Sequence, residues 1–292
     1  MIDAFDGLDR VGWPGLHHAH GPATDVPDQL RGLRSSDSAT RDWAAFELMG
    51  NVYHHGARWP ASQHVVPFLV ALVDDPATPD RAGVARLLRA VALGDRTDRH
   101  LPFSPVAAFT AADLVTDAQE ARCVAAGYES EELEACALKW DRDAYLAAGR
   151  HVARYARWIG APDTELAARA AELLAWFPII PATIVALIAM PPDPARWQPR
   201  SSANLTLAHL AIDAPGMTES LRAQLHATPP PVRLTAAIAL AYRLGDRLPP
   251  AAQEVLIAAH NDDVPPEENV VLPWHRSLTG FAALARQRLD PS

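Results

Sequence analysis

Alanine- and leucine-rich segments with one helical pattern recur along the second half of this chain. Their central leucines, Leu174, Leu207 and Leu240, are spaced 33 residues apart. A period of this length is typical of stacked helical pairs, in which each pair buries its apolar face against its neighbours. We therefore predict an all-α fold in which consecutive helices stack as a solenoid.

Two parts of the chain depart from this helical pattern. Residues 1–37 are rich in Gly, Pro, Asp and His, which predicts an N-terminal extension with one short helix near residues 26–33. The HHAH motif at residues 17–20 then belongs to a solvent-exposed tail, although its spacing is compatible with adventitious metal binding. Residues 38–292 are predicted to form a single helical-repeat domain, interrupted at about 95–140 by an insertion with one or two helices.

The composition favours a folded protein without a general nucleic-acid or membrane role. Hydrophobic residues make up 49% and charged residues 21%, a balance that can bury a large core. The formal net charge of -9 opposes attraction to phosphate backbones, so we expect no general nucleic-acid binding. The chain has no apolar run of about 18 residues and begins with acidic residues rather than a secretory leader, so we expect a cytoplasmic protein that does not span a membrane. Cys123 and Cys136 have no second pair with which to form a zinc site.

The repeated segments resemble a known family. The segment PPPVRLTAAIALAYRLG, residues 229–245, resembles the second helix of HEAT and HEAT-like repeats, and residues 75–88 and 161–174 resemble weaker copies. Further stretches, such as HRSLTGFAALA, are similar to a group of actinobacterial HEAT-repeat proteins without assigned activity. The resemblance implies a right-handed α–α superhelix. It implies little about function, because HEAT arrays carry scaffolds, inhibitors, nucleic-acid binders and some enzymes.

Two turns with aromatic and arginine side chains are the best candidates for contact with a partner. Arg58 and Trp59 form the first, and Trp274, His275 and Arg276 form the second. Such side chains anchor partners when they are exposed on loops. Tryptophan at a turn also serves to plug the end of a helical pair, so both interpretations stay open.

One basic stripe is visible in the sequence. Arg150, Arg154 and Arg157 are spaced so that they share one face of a helix, where an anionic partner or a nucleic-acid backbone could dock. The alternative is an ordinary solvated helix face. The stripe is the main support for a second hypothesis, a nucleic-acid-acting protein similar in architecture to HEAT-like alkylpurine DNA glycosylases.

The first predicted helix of the repeat domain carries a candidate metal site. Its apolar positions Trp43 and Phe46 follow one helical face, and Glu47 lies beside them. Glu47 with His54 and His55 has the spacing of a possible divalent-metal site, which gives a third hypothesis, a metal-dependent enzyme. The competing interpretation places both imidazoles at the helix C-terminus, where the dipole and the last carbonyls favour them.

No catalytic motif accompanies these features. The sequence contains neither a G-x-S-x-G elbow nor a phosphate-binding glycine loop. We therefore predict a non-enzymatic scaffold that needs no cofactor and binds another protein, whose identity the sequence does not specify.

Overall fold

The computed structural model describes residues 3–190, 193–261 and 269–289, without the side chains of His260 and Asn261. Pro191 and Pro192, which the sequence suggests as a join between helices, lie outside these ranges. So do residues 262–268 of the acidic, proline-rich loop that precedes the last helix.

The described residues are mainly helical, in agreement with the predicted all-α class. Two hairpins supply the strands, β1 His17–His18 with β2 Gly21–Pro22, and β3 Tyr53–His54 with β4 Ala57–Arg58. The α-helices are α1 Val26–Gly32, α2 Ser38–Val52, α3 Ser62–Asp74, α4 Arg81–Leu93, α5 Pro105–Ala108, α6 Asp117–Ala126, α7 Leu133–Gly149, α8 Val152–Trp158, α9 Thr164–Leu173, α10 Pro181–Ile188, α11 Trp197–His209, α12 Met217–Ala223, α13 Pro230–Leu244, α14 Pro250–Asn261 and α15 Leu278–Leu289. Short 3₁₀ helices join several of them, at Leu8–Arg10, Trp13–Gly15, Asp98–His100, Ala112–Leu114, Gly127–Glu129, Pro194–Arg196, Gln224–His226 and Gly245–Arg247.

The chain divides into two compact units. Unit 1 contains Met1–Arg96 and Ser104–His151, and unit 2 contains Thr97–Phe103 and Val152–Ser292. The prediction of one repeat domain over residues 38–292 stays a prediction. No described helix combines the length and the apolar character that crossing a bilayer requires.

The N-terminal segment is packed into unit 1. It contains the predicted short helix, α1, and α1 crosses α2 closely, because a Cβ on Gly32 would lie 2.6 Å from the Cβ of Ala44. Asp25 links the segment to the hairpin and to α2: its carboxylate lies 2.9 Å from Nε2 of His18 and accepts a 2.9 Å hydrogen bond from Asn51. His18 is therefore buried, and the expectation of an exposed tail at residues 17–20 is wrong for this residue.

Helices α3, α4 and α7 form the centre of unit 1. Helix α3 is buried on most of its circumference and packs on both others. Helix α7 runs without a break through residue 140, where the sequence suggests that the insertion ends. Its Cys136 and the Cys123 of α6 are free, buried thiols in one apolar cluster, and burial raises the pKa of Cys136 to about 12.

Helices α9, α11 and α13 form a row in unit 2, with α11 packed between the other two. Leu174, Leu207 and Leu240, the leucines of the 33-residue period, are all buried along this row. Side-chain hydroxyls also join the helices, because Ser202 donates to the backbone oxygen of Ala168 at 2.8 Å. Every residue of α11 from Pro199 to His209 is buried, which makes it the central helix of the unit.

Candidate functional site

The first predicted recognition turn is buried. Arg58 ends β4 with only 2% of its surface exposed, and its Nε lies 2.7 Å from Oδ1 of Asp141, an ion-pair distance without hydrogen-bond geometry. Nη1 donates to the backbone oxygen of Gly56 at 3.2 Å. Gly94 closes the other side: its φ is 61°, and a Cβ there would lie 2.1 Å from Nη1. Burial lowers the pKa of Arg58 and raises that of Asp141, while the charge of each opposes the shift of the other.

Trp59 belongs to the core of unit 1. It is 2% exposed and stacks on Trp140, with ring centroids 5.3 Å apart. Cys123 and Cys136 complete the cluster around the two rings. A binding role for the Arg58–Trp59 turn requires exposure, so this part of the prediction is wrong. Both side chains pack inside unit 1, because Arg58 pairs with Asp141 and Trp59 stacks on Trp140, and both of these partners lie on α7.

The second predicted turn is buried at its tryptophan. Trp274 is 5% exposed, donates from Nε1 to Oγ of Ser202 at 3.0 Å, and stacks on His209 at 5.7 Å. It is therefore also a plug, on the central helix of unit 2. Arg276 is half-buried and donates to Asp98 at 2.6 Å, and of the three predicted residues His275 alone is exposed.

The histidine that stacks on Trp274 is expected to make the stability of unit 2 depend on pH. Burial lowers the pKa of His209 to about 4, with Arg288 and Arg276 acting in the same direction, and its Nε2 has no hydrogen-bond partner in the described chain. The unfolded state takes up this proton at a higher pH than the folded state does. Above about pH 6.5 the free energy of unfolding therefore keeps its full value; it falls as the pH drops below 6.5, and the loss is complete once the pH has fallen through about 4. We expect a loss of up to about 3 kcal/mol from this group.

Urea titrations at a series of pH values, for the wild type and for His209→Phe, measure this loss. Carboxylates titrate equally in both proteins, so the difference between them isolates the imidazole. Parallel pH profiles would contradict the assignment.

The predicted arginine stripe does not lie on one continuous helix. Helix α7 ends at Gly149 with Arg150 as its C-cap, and α8 begins only at Val152. Arg150 and Arg157 are exposed, and Arg154 is half-buried. The spacing counted in the sequence assumes one unbroken helix across residues 150–157, whereas Arg150 lies at the end of α7 and Arg154 and Arg157 lie in α8.

The predicted metal residues also lie outside a single helix. Helix α2 ends at Val52, and His54 and His55 lie in the β3–β4 hairpin, with ring centroids 4.2 Å apart. Both residues thus follow the helix rather than end it, but His54 is hydrogen-bonded to the backbone of Gly50 in the last turn of α2, which agrees with the interpretation as an imidazole at the last carbonyls. Burial, followed by the charges of its histidine neighbours, lowers the pKa of His54. Within the described ranges, no three His, Cys, Asp or Glu side chains, Glu47 included, are grouped so that they could hold a metal ion.

An aromatic pair on α2 is the largest exposed apolar feature that the sequence points to. Trp43 is 65% and Phe46 69% exposed, and their ring centroids are 5.9 Å apart. Ala39 is exposed on the same side of the helix, and space above Gly50 is open, because a Cβ there would meet nothing within 4 Å. We call Ala39, Trp43, Phe46 and Gly50 the α2 stripe, since their spacing places all four on one narrow face.

The buried face of α2 is the opposite one. It consists of Ala44, Leu48, Asn51 and Val52. The sequence shows Trp43 and Phe46 as a helical face, but these two residues by themselves do not mark it as the outer face. The signal that could have shown it is the second face, whose small Ala44 suits close helix packing.

Carboxylates border the α2 stripe. Asp42 is exposed next to Trp43, and Glu47 is half-buried next to Phe46. At 100° per residue these two positions lie about equally far to either side of the aromatic pair. The stripe is thus an apolar ridge with a negative charge along each edge.

Comparisons with protein-family models, with curated proteins and with solved structures gave no match for this chain.

Proposed function

We propose that the protein is a non-enzymatic helical-repeat protein, built as a HEAT-like right-handed superhelix, that binds another protein through the α2 stripe. The repeat part of the proposal is supported by the row α9–α11–α13. Residues 33 positions apart in this row share the same burial, as the stacking of equivalent units requires.

The exposed pair of aromatic rings carries the binding part of the proposal. The two rings are large, apolar, in contact with each other and exposed to water. Burial of their surface against a partner would therefore contribute favourable free energy to binding. Tryptophan is also among the residues that dominate the energy of protein interfaces. In the rest of the described part of unit 1, the exposed large hydrophobic residues are the aliphatic Val106, Leu114 and Leu146, and Tyr128, whose ring lies against the buried Trp59. The α2 stripe therefore provides both the area and the residue types of an anchor.

The edges of the stripe define the chemistry of the partner. An apolar ridge about three turns long fits the apolar face of an amphipathic helix. Asp42 and Glu47 favour Lys or Arg at the borders of that face and disfavour acidic residues there. We therefore propose an amphipathic helix with basic edges as the segment that docks.

Site-specific photo-cross-linking in the native host tests this. Benzoylphenylalanine replaces Phe46 in the full-length chain, and in a matched control it replaces Leu146, an exposed hydrophobic residue of α7. We expect a cross-link at position 46 that is absent at 146. The cross-linked segment, identified by mass spectrometry, should have an apolar helical face with basic borders.

The identified segment, made as a peptide, then provides a quantitative measurement. Trp43→Ser combined with Phe46→Ser should weaken its binding at least about tenfold, the usual effect of removing aromatic anchors, whereas Leu146→Ser should leave it unchanged. Because both aromatic side chains are exposed, the double variant should keep the stability of the wild type within about 1 kcal/mol. An acidic or polar cross-linked segment, or equal cross-linking at both positions, would refute the proposed docking site.

A further inference from the structure

Arg200 is a buried cation whose partners among the described residues are all neutral. It lies in α11 with 2% of its surface exposed. Nε and Nη2 donate to Oδ1 of Asn204 at 3.3 and 2.9 Å, and Nη1 donates to the backbone oxygens of Met190 at 3.2 Å and Ile188 at 3.4 Å. All of these acceptors are neutral. Across the ranges that the structure describes, no carboxylate comes within ion-pair distance of this guanidinium.

A buried arginine ordinarily has an acidic partner. Removal of an ion from water is costly, and a nearby opposite charge offsets that cost. Arg58 in unit 1 follows this rule through Asp141. Burial lowers the pKa of Arg200 to about 10, with no carboxylate acting against the shift, yet the side chain stays charged at neutral pH. The guanidinium also has a fifth N–H, on Nη2, beyond the four that these contacts use.

Arg200 lines a pocket of ≈ 440 Å³ within unit 2. The pocket lies between the end of α10, helices α11 and α12, and the start of α13. Ile188, Met190 and Val232 contribute apolar walls, and the exposed His226 and Thr228 also line it, so solvent reaches the interior. A volume of this size, with apolar walls beside several polar groups, is compatible with a small-molecule site.

A chain of buried side chains holds the guanidinium in place. Asn204 donates to Oε1 of Gln224 at 2.8 Å, and Gln224 donates to the backbone oxygen of Ser220 at 3.1 Å and to its hydroxyl at 3.3 Å. These bonds orient Asn204 so that its carbonyl oxygen faces Arg200. The cation is therefore fixed before any ligand arrives, and a preorganised group binds with less loss of conformational entropy.

We propose that this pocket, which we call the Arg200 pocket, binds a small monocarboxylate with an apolar body. The carboxylate supplies the counter-charge that Arg200 lacks among the described residues and accepts a hydrogen bond from its remaining N–H. The hydrocarbon part lies against Ile188, Met190 and Val232. A phosphate dianion fits less well, since Arg200 is the single buried cation of the described lining and Asp193 adds a negative charge there.

Isothermal titration calorimetry with the full-length chain tests this pocket. The probes are phenylacetate and octanoate, with 2-phenylethanol as the neutral counterpart of phenylacetate and inorganic phosphate as the dianion. We expect at least one carboxylate to bind at millimolar concentration or below. 2-Phenylethanol and phosphate should bind at least about tenfold more weakly, because charged hydrogen bonds contribute this much.

Three variants locate the binding. Arg200→Met should weaken carboxylate binding about tenfold or more, whereas Arg222→Met, an exposed arginine of α12, should leave it unchanged. Ala223→Phe fills the pocket from its exposed rim without altering the buried network, so it blocks binding even if Arg200→Met does not fold. The proposal is overturned if neither carboxylate binds, if the alcohol or phosphate binds as tightly, or if Ala223→Phe binds like the wild type.

Discussion

Replacing Asp141 by alanine is expected to lower the free energy of unfolding of unit 1 by about 3–5 kcal/mol, the usual cost of leaving one buried charge unpaired. The variant keeps the guanidinium of Arg58 buried beneath the β3–β4 hairpin but removes its carboxylate. Arg96 is also affected. Burial lowers the pKa of Arg96, and among the charges that act against this shift Asp141 has the largest effect. Chemical denaturation measures the loss, and peptide-resolved hydrogen exchange on α4 and α7 assigns it to unit 1.

Two further variants separate charge from packing. Arg58→Met with Asp141→Leu removes both charges and should recover much of the stability, because hydrophobic replacement of a buried pair is often neutral or favourable. Asp113→Ala removes an acid that is 82% exposed in its pair with Arg142, and should cost at most about 1 kcal/mol. A loss below about 1 kcal/mol for Asp141→Ala would show that Arg58 does not depend on this carboxylate.

Replacing Leu207 by alanine is expected to destabilise unit 2 by about 2–5 kcal/mol, since it removes a fully buried side chain from the central helix. Leu174 and Leu240 hold the equivalent positions on either side in the 33-residue period, so their alanine variants should fall in the same range. Denaturant titration with hydrogen exchange on α9, α11 and α13 provides the measurement.

The matched control for the leucine series is Val185→Ala. Val185 is 64% exposed on α10 of the same unit, so its truncation should change the unfolding free energy by less than about 0.5 kcal/mol. A change for Leu207→Ala no larger than for this control would mean that the repeat is phased incorrectly.

The helical class and much of the helix placement follow from local patterns in the sequence. Asp37 accepts a hydrogen bond from the backbone N–H of Thr40 and so caps α2, and Gly94 ends α4 with a positive φ. Proline begins α10 and α13. Caps, breakers and the 33-residue period act over one or two turns, so they can be recognised without knowledge of distant neighbours.

The candidate sites could be predicted only in small part, because exposure depends on distant partners. Arg58 and Trp59 have the composition of a recognition turn, but Asp141 and Trp140 of α7, more than 80 positions away in the chain, make them core residues. Trp274 is likewise buried by Ser202 and His209.

The sequence by itself determined that this chain is helical, where many of its helices begin and end, and which leucines repeat in phase. Only the tertiary structure decided which face of each helix meets water and which charges are paired. It turned Trp43 and Phe46 outward by packing Ala44 and Leu48 inward, and it buried Arg200 beside a pocket without an ion pair to any described carboxylate. The physical reason is that capping and periodicity are local, whereas burial and charge pairing arise from contacts between segments far apart in the chain.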